Sequence, residues 1–379
     1  MRVFIVCSIY QLLSAVSIKR AFFAPEKAEL LLTFKCDDIQ INKIKEIGNF
    51  ESVLCINEPH QKTKLPILGA FQRIIWRKTF AKKLMSTRQY THFFTGGLHS
   101  QQLLYYGYAF KKNPDLSLSL FDEGMSSYID IWLEKNGKID RRDRKSFSLP
   151  YKLYLRYCNV TRFSIGQLLK NAEFFYVFSE HLSAGYLPWE IVKIPWEKSS
   201  IDAANSIYSV LYNDLSFSDY KKHDVIYLGT YRVGNKAFND IQKEVADITH
   251  EIFGKTMILK PHPGDRIGVY SSGEYTQDIR NFPIELLSLQ IDLKNKIFIT
   301  ENSSSLFSLY YLFKQTPYFV LTYKLNQPKD RFVETEESLV RIVGFLESEM
   351  GIQDRIFIPK DHDDFVGILS MLKQKLDSK

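Results

Sequence analysis

Short apolar runs recur along the chain at a steady interval. In the first half they read RVFIVCS, AELLLTF, SVLCINE, THFFTG, LSLSLFD and EFFYVFS, most separated by more than ten residues with helix-like periodicity between them. Continuous rather than alternating apolar runs mark strands buried on both faces, and helical spacers between them mark βαβ units. The pattern turns polar at SFSDYKKHD (216–224) and then restarts with DVIYLGT, KTMILKPHP, KIFITENSS, PYFVLTY and RIFIP. It closes on an amphipathic helix, DDFVGILSMLKQKL. The expected architecture is therefore α/β, with two consecutive Rossmann-like domains, 1–220 and 221–379, and a cleft between them lined by the carboxyl ends of the strands.

Length and composition agree with that plan. A chain of 379 residues with 45% hydrophobic content is long and apolar enough for two cores, which sets disorder aside. The four cysteines, Cys7, Cys36, Cys55 and Cys158, show no CxxC or metal-like spacing and read as buried thiols of a reduced compartment. No run reaches the ~18 to 20 apolar residues of a spanning helix. The opening MRVFIVCSIYQLLSAVSIKR is broken by Gln11, lacks a small-residue cleavage site, and fits a strand leading into a helix better than a signal peptide. A cytoplasmic protein is expected.

The net charge of +7 gathers in RIIWRKTFAKKLMSTR (73–88) and RRDRKSFSLPYKLYLRYCNVTRF (141–163). Without a recognition motif this charge does not point to nucleic acid. Basic residues interleaved with Trp76, Phe80, Phe147, Tyr151 and Tyr154 suit an anionic membrane surface, here the inner membrane face, as well as a solvated helix face.

Candidate chemistry sits at the strand ends. LFDEGMSSY (120–128) places Asp122 and Glu123 before Gly124 where a strand stops; alone it reads as a turn, and at a parallel sheet's carboxyl edge it reads as a catalytic carboxylate. In the second half, Gly229 and Thr230 close LGT, and ILKPHPGD places Lys260 ahead of a His262 flanked by prolines. An imidazole fixed beside a cation suits an anionic leaving group better than base catalysis. TENSSSLFSLYYLF puts Ser303, Ser304 and Ser305 before a helix expected to start near Leu306. One hydroxyl suffices for a cap, so a serine run leaves donors for a phosphate at the helix amino terminus. Glu285 stands where another helix begins, a position the helix dipole favours by itself.

A carboxylate–carboxylate–glycine motif, then His-Pro, then paired serines, in this order, resembles the bacterial sialyltransferases of the GT-B type: glycosyltransferase family 52 and the polysialyltransferases. VFIVCSIYQLLSA is also similar to the first strand and helix of family 52. The resemblance implies a first domain that serves the acceptor and a second that holds the nucleotide-sugar. Carried over by motif, it implies Asp122 as general base, with Glu123 and Gly124 shaping the turn. His262, followed by Pro263, would contact or protonate the donor phosphate; Ser304 and Ser305, with Ser303 beside them, would bind it. Glu285 would hold the ribose hydroxyls, and Gly229 and Thr230 would line the nucleotide side; Lys260, from its place beside His262, is expected at the donor phosphate. One departure stands out: some family 52 enzymes use an Asp just after the first strand of the second domain, where this chain reads LGTYRVG and carries Arg232.

The implied reaction is inverting, metal-independent transfer of sialic acid from CMP-sialic acid, with no cofactor, to a capsule or lipooligosaccharide hydroxyl. No D-x-D metal motif stands at a strand end. A CMP-Kdo transferase shares these features. A teichoic-acid-type CDP-alditol transferase does so less well, because His60, His92 and His99 are not followed by Gly. A non-catalytic glycan- or nucleotide-sugar-binding subunit is the alternative from another class.

Overall fold

The computed structural model describes residues 1–56, 66–98, 100–124, 156–161, 168, 172–180, 189–195, 198–212, 214–232, 235–262, 265, 268–271, 273–280, 282–301, 303, 305–326, 340, 343–344, 346–348 and 351–378. The chain divides into two compact units, Met1–Asn213 and Asp214–Lys379. The sequence places the boundary at about Tyr220, a few residues later. Tyr220 is buried against Phe217 and Phe282, so the short helix Ser218–Lys222 packs with the second unit.

Among the described residues the first unit holds a seven-stranded sheet of β1 (Arg2–Val6), β2 (Ala28–Leu32), β3 (Ser52–Cys55), β4 (His92–Thr95), β5 (Ser117–Phe121), β6 (Ala172–Val177) and β7 (Glu190–Lys193). The order is β3-β2-β1-β4-β5-β6-β7, and every pairing is parallel. The central strands are apolar on both faces because helices cover both. The helix Ile9–Phe22 begins where the Ser8 side chain accepts from the Gln11 amide at 3.2 Å. Its residues from Gln11 to Lys19 are all buried, and it packs against helices Asp38–Gly48 and Lys198–Tyr212. Phe4 stacks on Phe94 and meets Phe50 edge-on at the centre of the sheet.

Among the described residues the second unit holds a six-stranded sheet of β8 (Val225–Leu228), β9 (Met257–Lys260), β10 (Thr276–Gln277), β11 (Ile297–Thr300), β12 (Tyr318–Leu321) and β13 (Ile356–Phe357). Its order is β10-β9-β8-β11-β12-β13, again wholly parallel. Asn235 caps the helix Lys236–Phe253 by accepting from Phe238 N, and Asp361 caps the final helix His362–Asp377 in the same way. These two helices pack together over a core of Tyr227, Val245, Leu259, Ile299 and Phe365.

In each sheet the first strand is flanked on one side by the second and on the other by the fourth. The chain reverses its direction of travel there, and open α/β sheets keep their ligands outside the carboxyl ends of the strands at that point. The switch lies between β1 and β4 in the first unit, and between β8 and β11 in the second. Cys7, Cys36 and Cys55 are only partly covered, while Cys158 is buried.

Candidate functional site

Register brings the second unit's candidates to one edge. Leu228 pairs with both Lys260 and Thr300, so β9, β8 and β11 end level. Gly229 and Thr230 follow β8, His262 follows β9, and Glu301 and Ser303 follow β11. Gly229 N donates to Lys260 O at 2.9 Å, which carries the pairing one residue past the strands. The loop after β8 is pinned by Tyr270: its hydroxyl donates to Thr230 O at 3.0 Å and accepts from Thr230 N at 3.2 Å. A Cβ on Gly229 would stand 2.7 Å from the Tyr270 ring, so only glycine admits this approach.

Ser303 behaves as a helix cap. Its Oγ accepts from Ser305 N at 3.2 Å and from Ser305 Oγ at 2.8 Å, where the helix Ser305–Phe313 begins. Ser305 is buried and Ser303 half-buried; Ser304 and Pro263 lie outside the described residues. One turn further into that helix, Ser308 Oγ donates to Glu285 Oε1 at 2.5 Å. Burial pushes the Glu285 carboxyl above its ordinary range, against the opposing hydrogen bond from Ser308. Glu285 thus reaches the helix that starts at the serines, as the sequence order alone does not reveal.

His262 is exposed, beside a cavity of about 320 Å³ that Asp265, Tyr270, Gln277 and Arg280 also line. Lys260, expected with His262 at the donor, is instead largely covered. It is 7% exposed, donates to Arg280 O at 2.7 Å, and lies 3.7 Å from the centre of the Phe282 ring. Burial lowers its ammonium to about 8, partly offset by the nearby Asp278. Asp278 in turn clasps Arg280 through two 2.7 Å bonds, to Nε and Nη2. Lys260 therefore packs beneath the loop that follows β10 and supports Arg280 through its main chain.

The sequence reading missed one pair at the switch point. Arg232, after β8, donates from Nη2 to Glu301 Oε1 at 2.7 Å and stacks on Phe238 at 4.0 Å. Glu301 is 1% exposed, and burial lifts its carboxyl to about 7 even with Arg232 pulling it down. The signal was present as a Glu directly after a buried strand, but its partner is 69 residues away.

In the first unit the carboxylate motif ends β5. Asp122 is 0% exposed; Oδ1 accepts from Gly124 N at 2.7 Å and Oδ2 from Phe178 N at 3.4 Å. Gly124 has φ of 109°, a conformation that side chains disfavour, so Asp122 and Gly124 together build the turn. Glu123 is the half-exposed member of the pair. Its Oε2 accepts from Gln11 Nε2 at 3.1 Å, and Gln11 Oε1 accepts from Cys7 N at 2.7 Å. Gly96, just past β4, adjoins both: a Cβ there would lie 2.8 Å from Gln11 Nε2 and 3.2 Å from Glu123 Cβ. Glu123 is thereby held at the switch between β1 and β4. Among the described residues no group of three His, Cys, Asp or Glu side chains is placed to hold a metal ion, and no helix is long and apolar enough to cross a membrane.

Two Rossmann-like domains, each with a parallel sheet and its own switch point, define the GT-B fold. A protein assigned as a UDP-N-acetylglucosamine 2-epimerase from Listeria monocytogenes matches with a TM-score of 0.52 and 11% identity, over 100% of this chain and 96% of that one. The UGT89C1 structure of Arabidopsis thaliana matches at a TM-score of 0.49 and 10% identity, over 99% and 90%. The S. aureus MnaA–UDP structure matches at 0.47 and 11%, over 99% and 96%. No protein-family model and no curated protein matches the chain.

Proposed function

We propose that the chain is an inverting, metal-independent glycosyltransferase that moves sialic acid from CMP-sialic acid to a hydroxyl of a surface glycan. The observation that carries this reading is the convergence of Gly229, Thr230, His262, Ser303 and Ser305 at the level carboxyl ends of three neighbouring strands. Fold alone hosts many activities, so the weight rests on these groups. Beyond Ser305, whose own N–H and hydroxyl go to Ser303 Oγ, the N–H groups of the first turn of the helix Ser305–Phe313 and the Ser303 hydroxyl suit a phosphate, and Ser304 would add a further donor. Glu285 accepts from Ser308 at Oε1, and a ribose hydroxyl would bind the same carboxylate at Oε2.

In the reaction, the acceptor oxygen bonds to the anomeric carbon as the bond from that carbon to the phosphate oxygen breaks. The acceptor proton passes to a carboxylate of the first unit, and CMP departs as a phosphate monoester. Charge grows on the phosphate as the sugar leaves, and His262 donates to it there. Of the two adjacent carboxylates we assign proton acceptance to Glu123. Asp122 is fully buried with a backbone N–H on each carboxylate oxygen, which keeps it from an acceptor hydroxyl, whereas Glu123 is partly open and steered by Gln11.

Release of CMP and transfer to a glycan are measured with CMP-sialic acid, CMP-Kdo and a UDP-sugar in parallel. The UDP arm is included because the named Listeria and S. aureus structures concern UDP compounds. Turnover of CMP-sialic acid above the others is expected; turnover of the UDP-sugar alone overturns the donor assignment. Glu123→Gln should lower transfer by ~10²- to 10⁴-fold with the fold intact. If Asp122→Asn abolishes transfer in a stably folded protein while Glu123→Gln does not, the base is Asp122.

A further inference from the structure

Of the basic segments flagged in the sequence, 73–88 and the end of the second, 156–161, belong to the first unit, while 141–155, with Phe147, Tyr151 and Tyr154, lies outside the described residues. The helix Pro66–Ser86, the helix Ser100–Lys112 and residues 156–161 enclose a cavity of about 680 Å³. Among the described residues Lys78, Lys111 and Arg156 line it with Tyr108 and Tyr157, and no acidic side chain does. The helix Ser100–Lys112 and residues 156–161 are tightly fitted: a Cβ on Gly107 would stand 2.9 Å from Val160 Cβ. The Lys78 ammonium sits 3.8 Å from the centre of the Tyr157 ring. Among the described residues no carboxylate forms an ion pair with Lys78, Lys111 or Arg156. Three converging cations repel one another, and an anion bound among them relieves that repulsion.

The rim of the cavity narrows the class of anion. Ile75 is 53% exposed and Tyr157 43% exposed, two of the few large apolar side chains left in solvent among the described residues. Ile75, Lys78 and Lys82 recur at three- and four-residue steps, so they share one helix face; Tyr108 and Lys111 do likewise on the neighbouring helix. Cations beside exposed aliphatic and tyrosyl side chains match the boundary between lipid headgroups and acyl chains. The Tyr157 ring already carries Lys78 on its face and so does not offer that face to a nucleobase.

We propose that this cavity receives the phosphate headgroups of an anionic lipid surface, with Ile75 and Tyr157 dipping beside them. The site is independent of the transfer reaction. Flotation of the full chain with vesicles tests it, comparing phosphatidylcholine alone with mixtures containing phosphatidylserine. Recovery on anionic vesicles and little on neutral ones is expected. A cation near such a surface contributes about fivefold, so Lys78→Gln, Lys111→Gln and Arg156→Gln together should weaken binding on the order of a hundredfold. The same neutralisation at Lys236, Lys255 and Lys360 should leave most of it; equal losses would reduce the effect to net charge and overturn the proposal. Lys78→Arg with Lys111→Arg and Arg156→Lys should retain binding. Should the glutamine triple fail to fold, Ile75→Ser, which keeps every charge, still reads the site through a several-fold loss on anionic vesicles. Equal recovery on neutral vesicles, no loss on Ile75→Ser, or a requirement for the three cations in binding a single-stranded oligonucleotide but not vesicles would each overturn it.

Discussion

Replacing Glu301 by Gln should stabilise the second unit at neutral pH and remove part of its pH dependence. The carboxyl is 1% exposed and meets one guanidinium, Arg232, at 2.7 Å, an incomplete compensation for burial. Burial raises its pKa from the ordinary 4.5 to about 7. Between those values the folded state keeps the proton and the unfolded chain releases it. Stability therefore falls as pH rises through that window and levels off above it. At about 1.4 kcal/mol per tenfold in proton affinity, the full swing is about 3 kcal/mol. Gln fills the same space, still accepts from Arg232 and carries no charge, so the variant should lack this fall. The difference between the proteins should approach about 3 kcal/mol near pH 8 and shrink near pH 5. Urea-dependent amide exchange over Ile297–Thr300, the strand that leads into Glu301, reads the second unit directly. An equal decline from pH 5 to pH 8 in both proteins would refute the reasoning, because Glu301 would then be ionised throughout.

Three further outcomes follow from the proposed reaction. His262→Ala should lower kcat on the order of 10²-fold while donor KM changes little, as kinetics with CMP-sialic acid would show; a loss confined to KM makes His262 a binding residue only. Glu285→Ala should raise donor KM with kcat nearly kept, and Ser308→Ala should leave KM close to wild type; matching losses in the two variants would mean that Glu285 only braces the helix. Transfer should persist in excess EDTA, and a complete loss that Mg²⁺ or Mn²⁺ restores contradicts the metal-independent reading.

Much of the fold was legible because strands buried on both faces must be written as continuous apolar runs. RVFIV, AELLL, VIYL and IFIT each became a central strand buried along most or all of its length. The two strands that escaped lie at sheet edges: β7, EIVK, is half-exposed, and β10 is the dipeptide TQ. Neither has to hide two faces, so neither carries the pattern. Candidate residues at strand ends were legible for a related reason, since turn formers after an apolar run locate the carboxyl edge of a parallel sheet. What that edge does with each side chain was not. Asp122 is enclosed by Phe178 N, from the end of a strand 56 residues on, and Lys260 is drawn to the carbonyl of Arg280. The Arg232–Glu301 pair exists only because β8 and β11 are neighbours, and strand order is decided by packing rather than by local sequence.

The contact between Gly229 and Tyr270 has a consequence for how this protein can diverge. The loop after β8 takes its shape from a phenol 41 positions further along, which bonds to the Thr230 backbone while its ring fills the space a side chain at 229 would need. The two positions are therefore inherited as one character. Gly229→Ala alone collides with the ring, and loss of the tyrosine alone leaves a void and an untethered peptide. In any set of descendants of this chain, a side chain at 229 should arise only in lineages where 270 has already become small, and substitutions at the two sites should be correlated although they are far apart in the sequence.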